Sequence, residues 1–247
     1  MLQSLARTAS KCPRSRWLRC YATSIKDSLG ANFRLHQEFF SHKEQTQLLA
    51  VSLAALDAQE SRRYKRLREK HVRPQLTDDT PLQDVFYPDS CYKFAQGHFD
   101  AVIHDYRERL IEAGPADLEQ YRPGVSRLFD KLRPLYPSQD IQMHLLHLAT
   151  TGEIHPHVDN LEASGSWILG VSLGSPRFLR LESEGCEPFE VLLPSGSVYV
   201  QRDDVRFNYK HSILKPETTD NSASNHQRLS IMIRDRLASQ ELPVVHS

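Results

Sequence analysis

The sequence predicts an α+β fold, a double-stranded β-helix (jelly roll) with an N-terminal helical layer packed on it. Two observations carry this. After Ile141 the chain breaks into eight short apolar or alternating runs, at 141–148, 153–159, 166–173, 177–183, 188–193, 197–201, 205–213 and 227–234, separated by Gly, Pro, Asn and Ser. Evenly spaced short strands signal a sandwich or barrel, and jelly rolls have about eight of them. Before Ile141, apolar residues recur at helical spacing instead.

Taken in order, residues 1–21 carry Arg7, Lys11, Arg14, Arg16 and Arg19 with no acid before Asp27, and are otherwise rich in Ser, Leu and Ala. That composition predicts a mitochondrial transit peptide, and with it a location in the mitochondrial matrix. Phe33, Leu35, Phe39 and Phe40 form an opening strand that leads through Ser41, a predicted N-cap, into a helix carrying Leu48, Leu49, Leu53 and Leu56. The basic run from Arg62 to Arg73 reads as a solvated helix face or loop, and 74–91 as an irregular loop punctuated by Pro74, Pro81 and Pro88. Phe99, Val102, Ile103, Tyr106 and Leu110 predict a helix over 97–113, stopped at Gly114-Pro115, and a shorter helix is expected from Val125 to Leu132. The expected units are thus the leader (1–21), an N-terminal extension (22–96), the jelly-roll domain (97–238) and a tail (239–247).

Composition narrows the function. With 39% hydrophobic and 25% charged residues in 247, the chain suits one globular domain plus a leader or small extension. No stretch approaches the roughly 18 apolar residues of a membrane span. Acids and bases balance at 31 each, so losing the leader's cations leaves a mildly acidic protein that should not bind nucleic acid on net charge alone. Cys91 and Cys186 lack CxxC spacing and read as ordinary thiols.

The segment that carries chemistry is Ile154-His155-Pro156-His157-Val158-Asp159. On a strand, residues two apart share a face, so His157 and Asp159 are expected to aim inward together. With His211 from a distant run they would form a 2-His-1-carboxylate set that leaves iron positions open. A second His-x-Asp, His98-Phe99-Asp100, sits at the start of a predicted helix, where i and i+2 diverge, and is read as structural. Downstream, Leu229, Ile231 and Ile233 alternate with Arg228, Ser230 and Arg234. An inward arginine on a buried strand calls for an anion, and guanidinium grips carboxylate bidentately.

In combination these residues resemble the AlkB-type 2-oxoglutarate dioxygenase signature. His98-Phe99-Asp100-Ala101-Val102-Ile103, Tyr106-Arg107-Glu108 and Pro194-x-Gly196-Ser197-x-Tyr199 are similar to the mitochondrial branch of that family, over about residues 33–236. The resemblance implies Fe(II) held by His157, Asp159 and His211, with O2 as co-reactant. It places the far carboxylate of 2-oxoglutarate on Arg228 with help from Tyr199, and Arg234 near the metal-side end, with Ser230 a lesser contact. It implies hydroxylation or oxidative demethylation of a protein or small molecule, and links the chain to lipid metabolism and programmed necrosis.

Three other readings stand beside it. A cupin would use His155 with His157 and leave Arg228 without a role. A non-catalytic mitochondrial regulator would keep the fold and signal through a partner. An RNA or DNA N-demethylase would use 62–73 as a phosphate-contacting patch. Against the last, Leu145-Leu146-His147-Leu148 stands where repair members carry an Asn and a Tyr, and 57–95 does not look like their nucleotide-recognition lid.

Overall fold

The computed structural model describes residues 29–72, 75–77, 79–97, 101–161, 165–215 and 226–236. The leader, the tail and the His98-Phe99-Asp100 segment lie outside the described residues.

Strand β1 (Phe33–His36) leads to helix α1 (His42–Ala58), which starts where the sequence places its cap. Ser41 Oγ accepts from the Glu44 amide at 3.4 Å and Glu44 Oε2 accepts from the Ser41 amide at 2.9 Å, a reciprocal capping box. The apolar side of α1 buries Leu48, Leu49, Leu53 and Leu56. A second helix, α2 (Arg62–Glu69), carries most of the basic run. Arg62, Arg63, Lys65 and Arg66 are exposed on it, whereas Arg68 is buried and ion-paired to Glu60, with Asp57 at 3.3 Å.

The remaining strands are β2 (Ala95–Gly97), β3 (Ile103–Ile111), β4 (Ile141–His157), β5 (Trp167–Gly174), β6 (Arg177–Glu182), β7 (Phe189–Leu193), β8 (Val198–Arg202), β9 (Lys210–Leu214) and β10 (Arg228–Asp235). Two short helices, α3 (Ser126–Asp130) and α4 (Asp203–Asn208), interrupt them. Strand order is β1-β8-β5-β10-β4-β9-β6-β7, with β2 and β3 branching from β4. All recorded pairings are antiparallel.

The long strand β4 makes this a jelly roll. Its first half pairs with β10, β3 runs beside it as far as Ile154, and its end pairs with β9 at Ile154↔Ile213 and His157↔His211, with a register shift between these two pairs. One strand therefore serves both layers, β8-β5-β10-β4 and β4-β9-β6-β7. Leu145, Leu169, Val171, Leu229, Ile231 and Ile233 face α1 on the outside of the first layer. Leu146, Leu148, Leu179, Leu181, Tyr199 and Ile213 fill the space between the layers.

Several expectations are corrected. Residues 103–111 form a strand, not part of a helix over 97–113: Tyr106, Glu108 and Leu110 alternate with Arg107, Arg109 and Ile111, and eight residues pair with β4. The expected strands 141–148 and 153–159 are one strand with an irregularity, and it ends at His157, so Asp159 lies in the loop beyond. The run 205–213 divides into the end of α4 and most of β9. The helix expected over 125–132 shortens to Ser126–Asp130.

Candidate metal and 2-oxo acid site

The end of β4, the loop after it and β9 bring His157, Asp159 and His211 together. One potential ligand atom from each lies within 4.8 Å of the others. His157 Nε2 is 3.0 Å and His211 Nε2 3.5 Å from Asp159 Oδ1, and the two imidazole rings are 4.2 Å apart at their centroids. His157 Nδ1 lies 2.9 Å from the His155 carbonyl, a contact that orients the ring with Nε2 toward the carboxylate.

Asp159 is held in its loop from two sides. Arg206 Nη1, on α4, donates to its main-chain carbonyl at 3.2 Å, and Arg234 Nη2 sits 3.4 Å from Oδ2. Burial opposes the carboxylate charge, but the His157 hydrogen bond and the nearby charge of Arg234 hold its pKa well below the usual range. Burial pushes His211 down to about 4, so at neutral pH its imidazole is unprotonated. An anionic carboxylate and a neutral imidazole are the states in which these groups bind a divalent cation.

The alternation read in 228–234 is observed. Arg228 opposes Leu148 and Gly174, and Ser230 opposes Leu146 and Ser172, so both lie on the face that looks between the layers. Arg228 is 1% exposed, its Nε donates to Ser172 Oγ at 3.1 Å, and its Nη2 is buried with no partner. Burial lowers its pKa, yet a guanidinium keeps its proton in proteins. A buried cation with an orphaned N–H fits the carboxylate end of a 2-oxo acid.

Tyr199 stands on the same face from β8, opposite Gly170. A Cβ on Gly170 would lie 2.3 Å from Tyr199 Cε1 and 2.6 Å from its hydroxyl, so the ring occupies the space that the glycine vacates. Burial raises the Tyr199 pKa, which keeps the hydroxyl protonated and able to donate. Ser230 is buried on the same face at 2% exposure.

His155 is not part of the cluster. Its side chain is 47% exposed, near Glu153 at 3.2 Å, and its ring lies 4.5 Å from that of His104. The shared face on which a cupin-like His155–His157 pair depends is therefore absent.

Sequence reasoning missed Gly170, Ser172, Arg206 and His144. A glycine inside an apolar strand is a signal of close approach, and Gly170-Val171-Ser172 carries it. Arg206 gives no such signal, since in sequence it resembles any surface arginine. His144 is partly buried on the inner face, 3.3 Å from Glu108 Oε2, and burial followed by the charge of Arg234 pushes it down to about 4.

Residues 32–234 match the family model of the 2OG-Fe(II) oxygenase superfamily. The chain is 34% identical over 151 residues to the mitochondrial alpha-ketoglutarate-dependent dioxygenase alkB homolog 7 of Bos taurus, covering 58% of this chain and 65% of that one. The Mus musculus protein of the same name is 30% identical over 153 residues, with the same coverages. The chain thus spans 65% of the length of these two relatives. Among solved structures, a Pseudomonas putida prolyl-4-hydroxylase is similar at 13% identity and a TM-score of 0.47, covering 87% of this chain and 98% of that one.

Proposed function

Because this chain belongs to the 2OG-Fe(II) oxygenase superfamily across residues 32–234, we propose that it is an iron(II)- and 2-oxoglutarate-dependent dioxygenase acting in the mitochondrion. The observation that carries the reading is the pairing of a His157–Asp159–His211 cluster with a buried Arg228 whose Nη2 lacks a partner. Bound iron, 2-oxoglutarate and O2 supply oxidative decarboxylation to succinate coupled to oxidation of a substrate C–H bond.

The chain's own residues do the rest. His157, Asp159 and His211 hold the metal, while Arg234 and Arg206 fix the carboxylate ligand. Arg228 and the Tyr199 hydroxyl bind the far carboxylate of the cosubstrate, and Ser172 orients Arg228. Ser230 adds a hydroxyl to the same wall. Leu146, Leu148, Leu179 and Ile213 exclude water from the space between them.

The substrate we favour is a protein side chain or another mitochondrial molecule, hydroxylated or demethylated in the matrix. The departure at Leu145-Leu146-His147-Leu148 from repair members supports this, as do the relatives' mitochondrial names. A link to lipid metabolism and programmed necrosis rests on the resemblance alone. The exposed Arg62, Arg63, Lys65 and Arg66 on α2 favour, as a second reading, demethylation of RNA or DNA. Binding by that helix would weaken steeply with salt.

Incubating the full chain aerobically with Fe(II), ascorbate and 2-oxoglutarate tests the proposal. Succinate should form and should vanish in Asp159→Ala. Iron-loaded protein that consumes no 2-oxoglutarate, with candidate peptides and methylated RNA both supplied, would favour the regulator instead.

A further inference from the structure

We propose that Arg177 is a second cation of the 2-oxo acid pocket and makes that pocket selective for a molecule with a carboxylate at its far end. The inference rests on the cosubstrate reading above and deepens it.

Strand register puts Arg177 inside. On β6, Leu181 opposes His211, Leu179 opposes Ile213 and Arg177 opposes Leu193. Arg177 therefore shares a face with the metal-side histidine but lies four residues along the strand from Leu181, roughly 13 Å away. On β10 the same polarity holds, with Arg234 beside Asp159 and Arg228 six residues earlier, opposite Gly174. Gly174 is three residues before Arg177, so the two arginines meet at the end of the space remote from the metal cluster.

The nearest acid acting on Arg177 is Glu153, a partly exposed carboxylate that makes no ion pair with it. Arg177 is 1% exposed, and its Nη2 donates to the carbonyl of His226, two residues before Arg228, at 2.7 Å. Its Nη1 lies 3.4 Å from the Pro176 carbonyl, and its Nε is buried with no partner. Among the described residues neither Arg177 nor Arg228 has a carboxylate within ion-pair distance. Burial, and next the charge of Arg228, push Arg177 down to about 10 against the opposing charge of Glu153, so the guanidiniums are close enough to oppose one another.

Two buried like charges with orphaned donors are expensive, and one carboxylate placed between them relieves both. A 2-oxo acid that ends in a methyl group offers nothing to this end of the pocket. Arg177 acts here as a charge, over and above any role as a staple between β6 and β10.

The test is calorimetric titration of the full chain, loaded with redox-stable Mn(II), using 2-oxoglutarate and 2-oxobutyrate, which lacks the far carboxylate. The wild type should prefer 2-oxoglutarate strongly. Arg177→Gln should lose about tenfold or more of the 2-oxoglutarate affinity while 2-oxobutyrate binding is unchanged, and Arg177→Lys should recover much of the loss. If the Gln variant does not fold, Arg177→Met, whose apolar chain suits a buried position, takes its place. A wild type that binds neither acid would overturn the underlying reading. A wild type that binds 2-oxoglutarate alongside a neutral variant that binds it equally well would overturn the role of Arg177 alone. Equal losses in the Lys and neutral variants would mark Arg177 as a staple and overturn its role as a charge.

Discussion

Arg206 donates to the main-chain carbonyl of Asp159 at 3.2 Å from a position only 2% exposed. Because β4 ends at His157, no ladder hydrogen bond holds Asp159, the candidate acidic ligand, and the guanidinium takes that part. Arg206→Ala should lower iron(II) affinity about 10- to 100-fold, the range typical of residues that orient metal ligands. Competition with a chromophoric chelator measures this. Unchanged affinity would mean that Arg234 alone suffices.

Gly170 and Tyr199 are a fitted pair. The Cβ of Gly170→Ala would meet the ring at 2.3 Å, so the tyrosine must move. We expect a loss of about 1–3 kcal/mol in urea unfolding and weaker 2-oxoglutarate binding with iron affinity retained. Wild-type cosubstrate affinity in a stable variant would remove Tyr199 from the pocket.

His147 is fully buried on the outer face of β4. It accepts from Arg107 Nε at Nδ1, at 2.9 Å, and its Nε2 lies 2.9 Å from Gln227 Oε1. Burial, and then the charge of Arg107, hold its pKa well below the usual value, so it is neutral in the fold. The unfolded chain binds this proton as pH falls through about 6.5 and the folded chain does not. Stability is therefore present above that pH and lost below it, with a slope of up to about 1.4 kcal/mol per pH unit for the one group. Urea midpoints of metal-free protein at pH 7 and pH 5 check this, and equal midpoints would contradict it.

Ser41 caps α1 far along the chain from the metal ligands. Ser41→Ala should cost about 1 kcal/mol of stability and leave iron affinity unchanged. A fall in iron affinity would show that α1 is coupled to the site.

The candidate metal cluster was legible because His157 and Asp159 are two residues apart in sequence and Arg228, Ser230 and Arg234 alternate against Leu229, Ile231 and Ile233. The geometry was less so, since Asp159 reaches His157 from a loop and not from the same strand face. Strand β3 was hidden because Val102, Ile103, Tyr106 and Leu110 mimic a helical period. Its outer face also carries Arg107, whose counter-ion Asp57, at 2.6 Å, is fifty residues away in the chain. Buried arginines such as Arg177 and Arg206 read as surface charge until the fold supplies their carbonyl partners.

One site is expected to hold both iron and 2-oxoglutarate. Anaerobic titration of Fe(II) and 2-oxoglutarate into the full chain, watching for the visible metal-to-ligand charge-transfer band, tests it most directly. The band should appear in the wild type, vanish in His211→Ala and weaken in Arg228→Ala. Folded, iron-loaded wild type with no band would contradict the account.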